Sequence, residues 1–225
     1  MARPLIARGV QRQVAISQFV AECVDGTATV IPNGVPNAEC GRHDQRVVLM
    51  AQRLEREKAT EMALDAWSRA GIFQDGWRLV IAGEGAQRQA LTEQAGRLPQ
   101  GSVSLVGFLP DLQQLMATSA VFLATAPAEP FGLSVVEAMA AGLPVVAPAG
   151  GANLETVGRC SPELLFPPGD VAGCAERLRA LAADAELRAR AGLVLRRYQR
   201  AEYSLDVHVA RLLELYDDVL TGRHG

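Results

Sequence analysis

The chain has 225 residues, 49% of them hydrophobic, which is enough for one sizeable core or two small ones. Its formal net charge of −3 gives no electrostatic case for binding nucleic acid. No apolar run reaches the length of a membrane span, and the apolar part of the first nine residues is too short for a secretory signal.

In chain order, Val14 to Ser17 read as a short strand followed by a helix through Val24. Thr29 to Ile31 is the next strand, stopped by Pro32-Asn-Gly-Val-Pro36, a run of turn formers. A β-rich run, Arg46 to Ala51, precedes Arg53-Leu-Glu-Arg-Glu-Lys58, which leads into a helix ending at Arg69. Trp77 to Ala82 is a strand, followed by Gly83-Glu-Gly85 and a helix to Leu98. Val103 to Val106 runs into Gly107-Phe-Leu-Pro-Asp111, and a short helix covers Leu112 to Ser119. Strands then fall at Val121 to Thr125, Pro144 to Ala147 and Leu164 to Pro167. The tail from Asp170 to about Thr221 is helical, with a break near Tyr203. Strands alternating with helices of this length predict an α/β fold, a parallel sheet carrying crossover helices. In such sheets ligands sit beyond the carboxyl ends of the strands. Each motif discussed below directly follows a predicted strand.

The most informative stretch is Glu129-Pro-Phe-Gly-Leu-Ser-Val-Val-Glu137, continuing into Ala-Met-Ala-Ala-Gly-Leu-Pro-Val-Val-Ala-Pro. Between Glu129 and Glu155, Glu137 is the only charged residue, and a carboxylate isolated among apolar neighbours is costly to desolvate without a partner. Val136, Met139, Ala140 and Leu143 fall at i, i+3, i+4 and i+7, the spacing of one core-facing helical stripe. The first-turn N–H groups, from about Gly132 to Ser134, have no intrahelical acceptor and offer a cradle to a phosphate or sugar oxygen. Glu137, one turn further in, is placed to accept hydrogen bonds from hydroxyls. Ser134-x-x-Glu137 also fits a capping box, and the two roles are compatible. A helix end for phosphate beside carboxylates for hydroxyls describes a nucleotide-sugar site.

This segment resembles the E-x7-E signature of retaining glycosyltransferases with the GT-B fold, most closely those of family 4. The resemblance implies a single Rossmann-like GT-B lobe, with helices on both faces of the parallel sheet and a helical carboxyl-terminal tail. It implies that Glu129 contacts the donor sugar and Glu137 the nucleotide ribose. Arg53-Leu-x-x-x-Lys58 is similar to the family's basic pair that holds the donor diphosphate; the other reading of these residues is a solvated face with an Arg53–Glu57 surface pair. Gly107-Phe108-Leu109-Pro resembles the loop that contacts the nucleobase, with Phe108 stacking on a base or filling the core. Phe131, Gly132 and Leu133 are expected to offer main-chain N–H groups to the donor. Ser134 either adds a hydroxyl near the phosphate or caps the helix. Gly83 and Gly85 allow a tight turn beside the ligand or serve the fold alone. Arg88 stands where a third glycine would complete a dinucleotide fingerprint, which argues against NAD. Glu155 lies in a Gly-Gly region one residue longer than the family's, so no role carries over to it.

The resemblance covers residues 14 to 221 and only the carboxyl-terminal, donor-binding lobe. Residues 1–36 are expected to be a remnant of the amino-terminal lobe and linker, 37–202 the donor domain and 203–225 a carboxyl-terminal helix. The expected activity is metal-independent transfer of a sugar from a nucleotide-sugar with retention, by front-face attack, inactive without an amino-terminal lobe in cis or trans. No cofactor is expected. No Asp-x-Asp occurs, and His43, His208 and His224 are far apart in sequence. The alternatives are a sugar-nucleotide epimerase of the same fold and a catalytically silent nucleotide-sugar-binding module. Cys23, Cys40, Cys160 and Cys174 show no Cys-x-x-Cys pair and read as free thiols of a reducing cytoplasm. The arginines from Arg188 to Arg200 read as a solvated helix face, with weak docking to the inner face of a membrane as the alternative.

Overall fold

The structure, a computed structural model, describes residues 12–24 and 27–221. Strands β1 (Gln13–Ala15) and β2 (Ala28–Val30) pair in parallel, with a one-turn helix α1 (Gln18–Ala21) between them. The main sheet then alternates with helices as the sequence predicts. It runs β3 (Val47–Ala51), α2 (Thr60–Ala70), β4 (Arg78–Ala82), α3 (Arg88–Ala95), β5 (Val103–Gly107), α4 (Gln113–Thr118) and β6 (Val121–Leu123). It continues through α5 (Leu133–Ala141), β7 (Val145–Pro148) and β8 (Leu165–Phe166). The helical tail comprises α6 (Val171–Ala183), α7 (Ala185–Glu202) and α8 (Leu205–Thr221).

All six strands of the main sheet are parallel, in the order β5-β4-β3-β6-β7-β8. A parallel sheet is covered on both faces. Accordingly β3, β6, β7 and β8 are buried at every position. Helices α2, α3 and α6 pack together, and α4, α5 and α7 form a second group. The core between them is centred on Trp67, Phe122 and Phe166.

Local details depart from the sequence reading. The helix expected from Lys58 onward is interrupted, because Ala59 is left-handed at φ 49° between a 3-10 turn (Arg56–Lys58) and α2. The tail breaks at Asp184 as well as at Tyr203; the Asp184 carboxylate caps α7 by accepting from Leu187 N at 2.8 Å. Helix α5 has no single core stripe. Met139 faces the main core, as does Leu143 just beyond the helix, whereas Val136 and Ala140 join Val35, Phe131 and Tyr203 in a smaller cluster.

That smaller cluster joins the early and late parts of the described chain to the loop before α5. Tyr203 stacks edge-on to Phe131 with ring centroids 5.8 Å apart, and its hydroxyl donates to Glu155 O at 3.0 Å. The Glu155 carboxylate accepts from Gln18 N and Phe19 N, both at 2.8 Å, where α1 has unsatisfied first-turn N–H groups. Ser17 Oγ donates to Pro130 O at 2.7 Å. Two arginines of the basic stretch, Arg188 and Arg196, are engaged by the fold, whereas Arg190 stays exposed in a surface pair. Arg188 donates to Leu181 O and lies over the Trp77 ring, Arg196 donates to Ala140 O and Ala38 O, and Arg190 pairs with Glu186. No helix among the described residues is long and apolar enough to cross a membrane.

Helix α7 crosses the end of α5 at Gly192, where an added Cβ would meet Gly142 O at 1.9 Å. Gly192→Ala is therefore expected to destabilise the fold by about 1–3 kcal/mol in urea unfolding, the cost of overpacking. Gly96→Ala, whose Cβ would meet nothing closer than 3.4 Å, is the control and should change little. Equal losses in the two variants would show that the close crossing is not a constraint.

Candidate functional site

Strand order reverses direction between β3 and β6. The chain leaves β3 for β4 on one side and leaves β6 for β7 on the other. Loops that diverge in this way leave a crevice at the strands' carboxyl ends, the usual ligand position in open α/β sheets. The loop after β3 carries Gln52, Arg53 and Lys58. The loop after β6 carries Thr125 and Glu129 and ends at α5.

Lys58 and Glu129 meet across this crevice. Nζ of Lys58 donates to Oε2 of Glu129 at 2.6 Å, and the two side chains are only 15% and 17% exposed. From the sequence these residues were separate contacts, for phosphate and for sugar; the fold makes them one ion pair. The Lys58 carbonyl is itself held, by Thr125 Oγ1 at 2.7 Å and Gln52 Nε2 at 3.1 Å. Sequence reading missed Gln52 and Thr125, which lie 73 positions apart and belong to no motif. Arg53 pairs with Glu57 at 3.2 Å, with both side chains well exposed, as the surface-pair reading expects of the free chain.

Arg53 also borders a pocket of about 400 Å³ formed by the ends of β3 and β4 and the loop after β5. Gln52, Gly83, Glu84, Phe108 and Leu109 are among its lining residues. Phe108 is 73% exposed, so its ring stands in the pocket wall and does not fill the core. Gly83 and Gly85 serve a close backbone approach. Cβ atoms there would lie 1.9 Å from Gln52 O and 2.5 Å from Leu54 O, and Leu54 N donates to Glu84 O at 2.8 Å. Those two glycines thus zip the β4 loop to the loop that carries Arg53 and Lys58. Gly107, at φ 79°, accepts from Gly83 N at 2.8 Å and joins the third loop to them.

At the start of α5, Gly132 occupies the cap position at φ 83°, and no side chain caps the helix. The first-turn N–H groups of Leu133 and Ser134 are left open. Ser134 lies inside the helix, so the capping box with Glu137 is not formed. Leu133 is exposed and Ser134 half-buried, whereas the Phe131 ring is buried in the smaller cluster. Desolvation alone raises the pKa of Glu137 above the ordinary glutamate range. Glu137 has no hydrogen-bond or ion-pair partner among the described residues. A half-buried carboxylate without a donor is an unpaid cost to the fold. No group of three or more His, Cys, Asp or Glu among the described residues is arranged to hold a metal ion.

Known proteins resemble this chain in sequence and in fold. An exopolysaccharide phosphotransferase of Streptomyces coelicolor is 30% identical over 213 residues, covering 86% of this chain and 21% of its own length. A 2-deoxystreptamine glucosyltransferase of Streptomyces kanamyceticus is 32% identical over 177 residues, covering 68% of this chain and 45% of its own. The chain thus spans less than half the length of either relative. In fold, the crystal structure of Anabaena HepE in complex with UDP and glucose superposes with a TM-score of 0.86 at 22% identity. That match covers 96% of this chain and 66% of the other, and it identifies the fold as one Rossmann-like GT-B lobe with a helical tail. Residues 38–193 match the family model of the group 1 glycosyl transferases, and the chain belongs to that family.

Proposed function

We propose that this chain is the donor-binding lobe of a retaining, metal-independent glycosyltransferase of family 4, with a nucleotide-sugar as donor. The observation that carries the reading is the convergence, at one topological switch point, of the Lys58–Glu129 pair and the uncapped start of α5. A diphosphate needs fixed positive charge, and Lys58, Arg53 and the first-turn N–H groups of α5 supply it. Glu137 takes the ribose hydroxyls and thereby gains the donors it lacks in the free chain. The pocket bordered by Phe108, Leu109 and Glu84 takes the base. Glu129 takes hydroxyls of the donor sugar while keeping Lys58 charged and oriented.

In the proposed reaction the bond from the anomeric carbon to the diphosphate oxygen breaks. The acceptor oxygen bonds to that carbon on the same face, and the acceptor proton passes to the departing phosphate. The protein contributes positioning and stabilisation of developing negative charge. The relatives extend well beyond the matched region. We place the acceptor site on an amino-terminal lobe, in cis or trans, with residues 1–36 as the end of that lobe and the linker, 37–202 as the donor domain and 203–225 as a carboxyl-terminal helix; residues 1–11, 25–26 and 222–225 of these segments lie outside the described residues.

Calorimetry with GDP, UDP and ADP tests the donor assignment. One of them should bind with a Kd on the order of 10 μM to 1 mM, and EDTA should not abolish binding. No heat and no thermal shift at millimolar ligand would sink the assignment, and strict dependence on Mg²⁺ or Mn²⁺ would remove its metal-independent part.

Glu137→Gln separates the ribose role from a purely structural one. Loss of a charge-assisted hydrogen bond should weaken the nucleotide by roughly tenfold. Wild type should discriminate against 2′- or 3′-deoxy nucleotides more strongly than the variant does. The free variant should be at least as stable as wild type near neutral pH. The sign follows from desolvation: a raised folded-state pKa means that the folded chain binds the proton more tightly than the unfolded chain. The cost of the charge is therefore present above the folded pKa and vanishes as pH falls below the ordinary value of 4.5. Urea unfolding of both proteins across that window should show the variant's advantage shrinking toward acid. Equal deoxy discrimination by both proteins would remove Glu137 from the ribose.

A further inference from the structure

Lys58 is delivered to Glu129 from a backbone turn that a side-chain-bearing residue adopts at a cost. Ala59 holds φ 49°, in the left-handed region that favours glycine. A cluster of polar side chains, Thr60 and Thr125 buried and Gln52 half-buried, braces this turn. Thr125 Oγ1 donates to the Lys58 carbonyl at 2.7 Å. Gln52 Nε2 lies 2.8 Å from Thr60 Oγ1, 3.1 Å from the Lys58 carbonyl and 3.1 Å from Thr125 Oγ1. An amide nitrogen has two protons. One serves Thr60, and the other is shared between the Lys58 carbonyl and Thr125 as a three-centre bond. Thr60 and Thr125 are each 1% exposed.

The cluster spans the switch point. Gln52, Lys58 and Thr60 belong to the segment that leaves β3, whereas Thr125 belongs to the loop after β6 that carries Glu129. The same few side chains thus fix the origins of both charged groups that meet at 2.6 Å. A valine would fill the Thr125 position without a hydroxyl to desolvate, so the buried polar choice asks for a reason beyond volume. The carbonyl that it holds is that of Lys58, the residue whose ammonium faces the crevice.

We propose that Gln52 and Thr125 are positioning residues for Lys58, clamping its carbonyl so that the Ala59 turn presents the ammonium to Glu129 and to the diphosphate of the donor. The inference rests on the donor-lobe reading and goes beyond it: the grip on the diphosphate is set by two side chains that do not touch it.

Thr125→Val is nearly isosteric and removes the hydroxyl, and Thr125 is not among the residues that line the pocket. Calorimetry would use the nucleoside diphosphate that the wild type binds best, together with the monophosphate of the same nucleoside, at a temperature where each variant is shown to be folded. Thr125→Val should weaken the diphosphate by roughly tenfold, the scale of one buried hydrogen bond, and cut the preference for diphosphate over monophosphate. Thr125→Ser keeps the hydroxyl and should behave as wild type. Adding Ala59→Gly to Thr125→Val should restore most of the preference, because glycine holds the turn without the clamp. If Thr125→Val fails to fold, Gln52→Met carries the same test, since a lost base contact would weaken both ligands alike. Wild-type binding with an unchanged preference in the clamp variants overturns the inference and leaves the donor reading standing. A wild type that binds no nucleoside diphosphate overturns both.

Discussion

A parallel sheet leaves neither face to water, and every connection between its strands must travel over one face or the other. The position of the candidate site follows from that constraint. Because β3 and β6 are neighbours and their connections depart in opposite directions, the backbone cannot close over their carboxyl ends. The crevice left there is walled by loops whose length and composition are free to vary while the buried strands below stay fixed. Gln52, Arg53, Lys58, Thr125 and Glu129 all stand on those two loops, so the candidate site gathers at the carboxyl ends of β3 and β6.

The electrostatics of the crevice divides its two glutamates. Glu129 has an ammonium partner at 2.6 Å, and both members of the pair are largely withdrawn from water. Such a pair is close to energetic break-even, since desolvation offsets most of the Coulomb attraction. Glu137 has no internal partner among the described residues, and burial alone raises its pKa. The free chain thus carries a carboxylate whose charge is compensated only when something else supplies donors. Strain and desolvation that the fold itself does not relieve are characteristic of functional sites.

Glu155 shows the opposite use of an acid. Its carboxylate satisfies the open N–H groups of α1, and its carbonyl receives the Tyr203 hydroxyl. Together with Ser17 on Pro130, this draws the first and last parts of the described chain against the loop that leads into α5. Residues near both ends of the described chain thus contact the loop that leads into α5.

The sequence by itself determined the alternation of strands and helices, the edge of the sheet on which the motifs fall, and the acid spacing that marks the α5 loop. These are near-neighbour properties, encoded in periodicity, turn formers and short motifs, and they survive without knowledge of what packs on what. The tertiary structure alone decided the Lys58–Glu129 pairing across 71 positions, the Gln52–Thr125 clamp and the anchoring of α1 by Glu155. It also decided that Gly132 caps α5 in place of a Ser134–Glu137 box, and that α5 is buried on more than one face. Each of these depends on which strands become neighbours and how closely their loops approach. That is set by the packing of crossover helices over the whole sheet, and no local pattern of residues carries it.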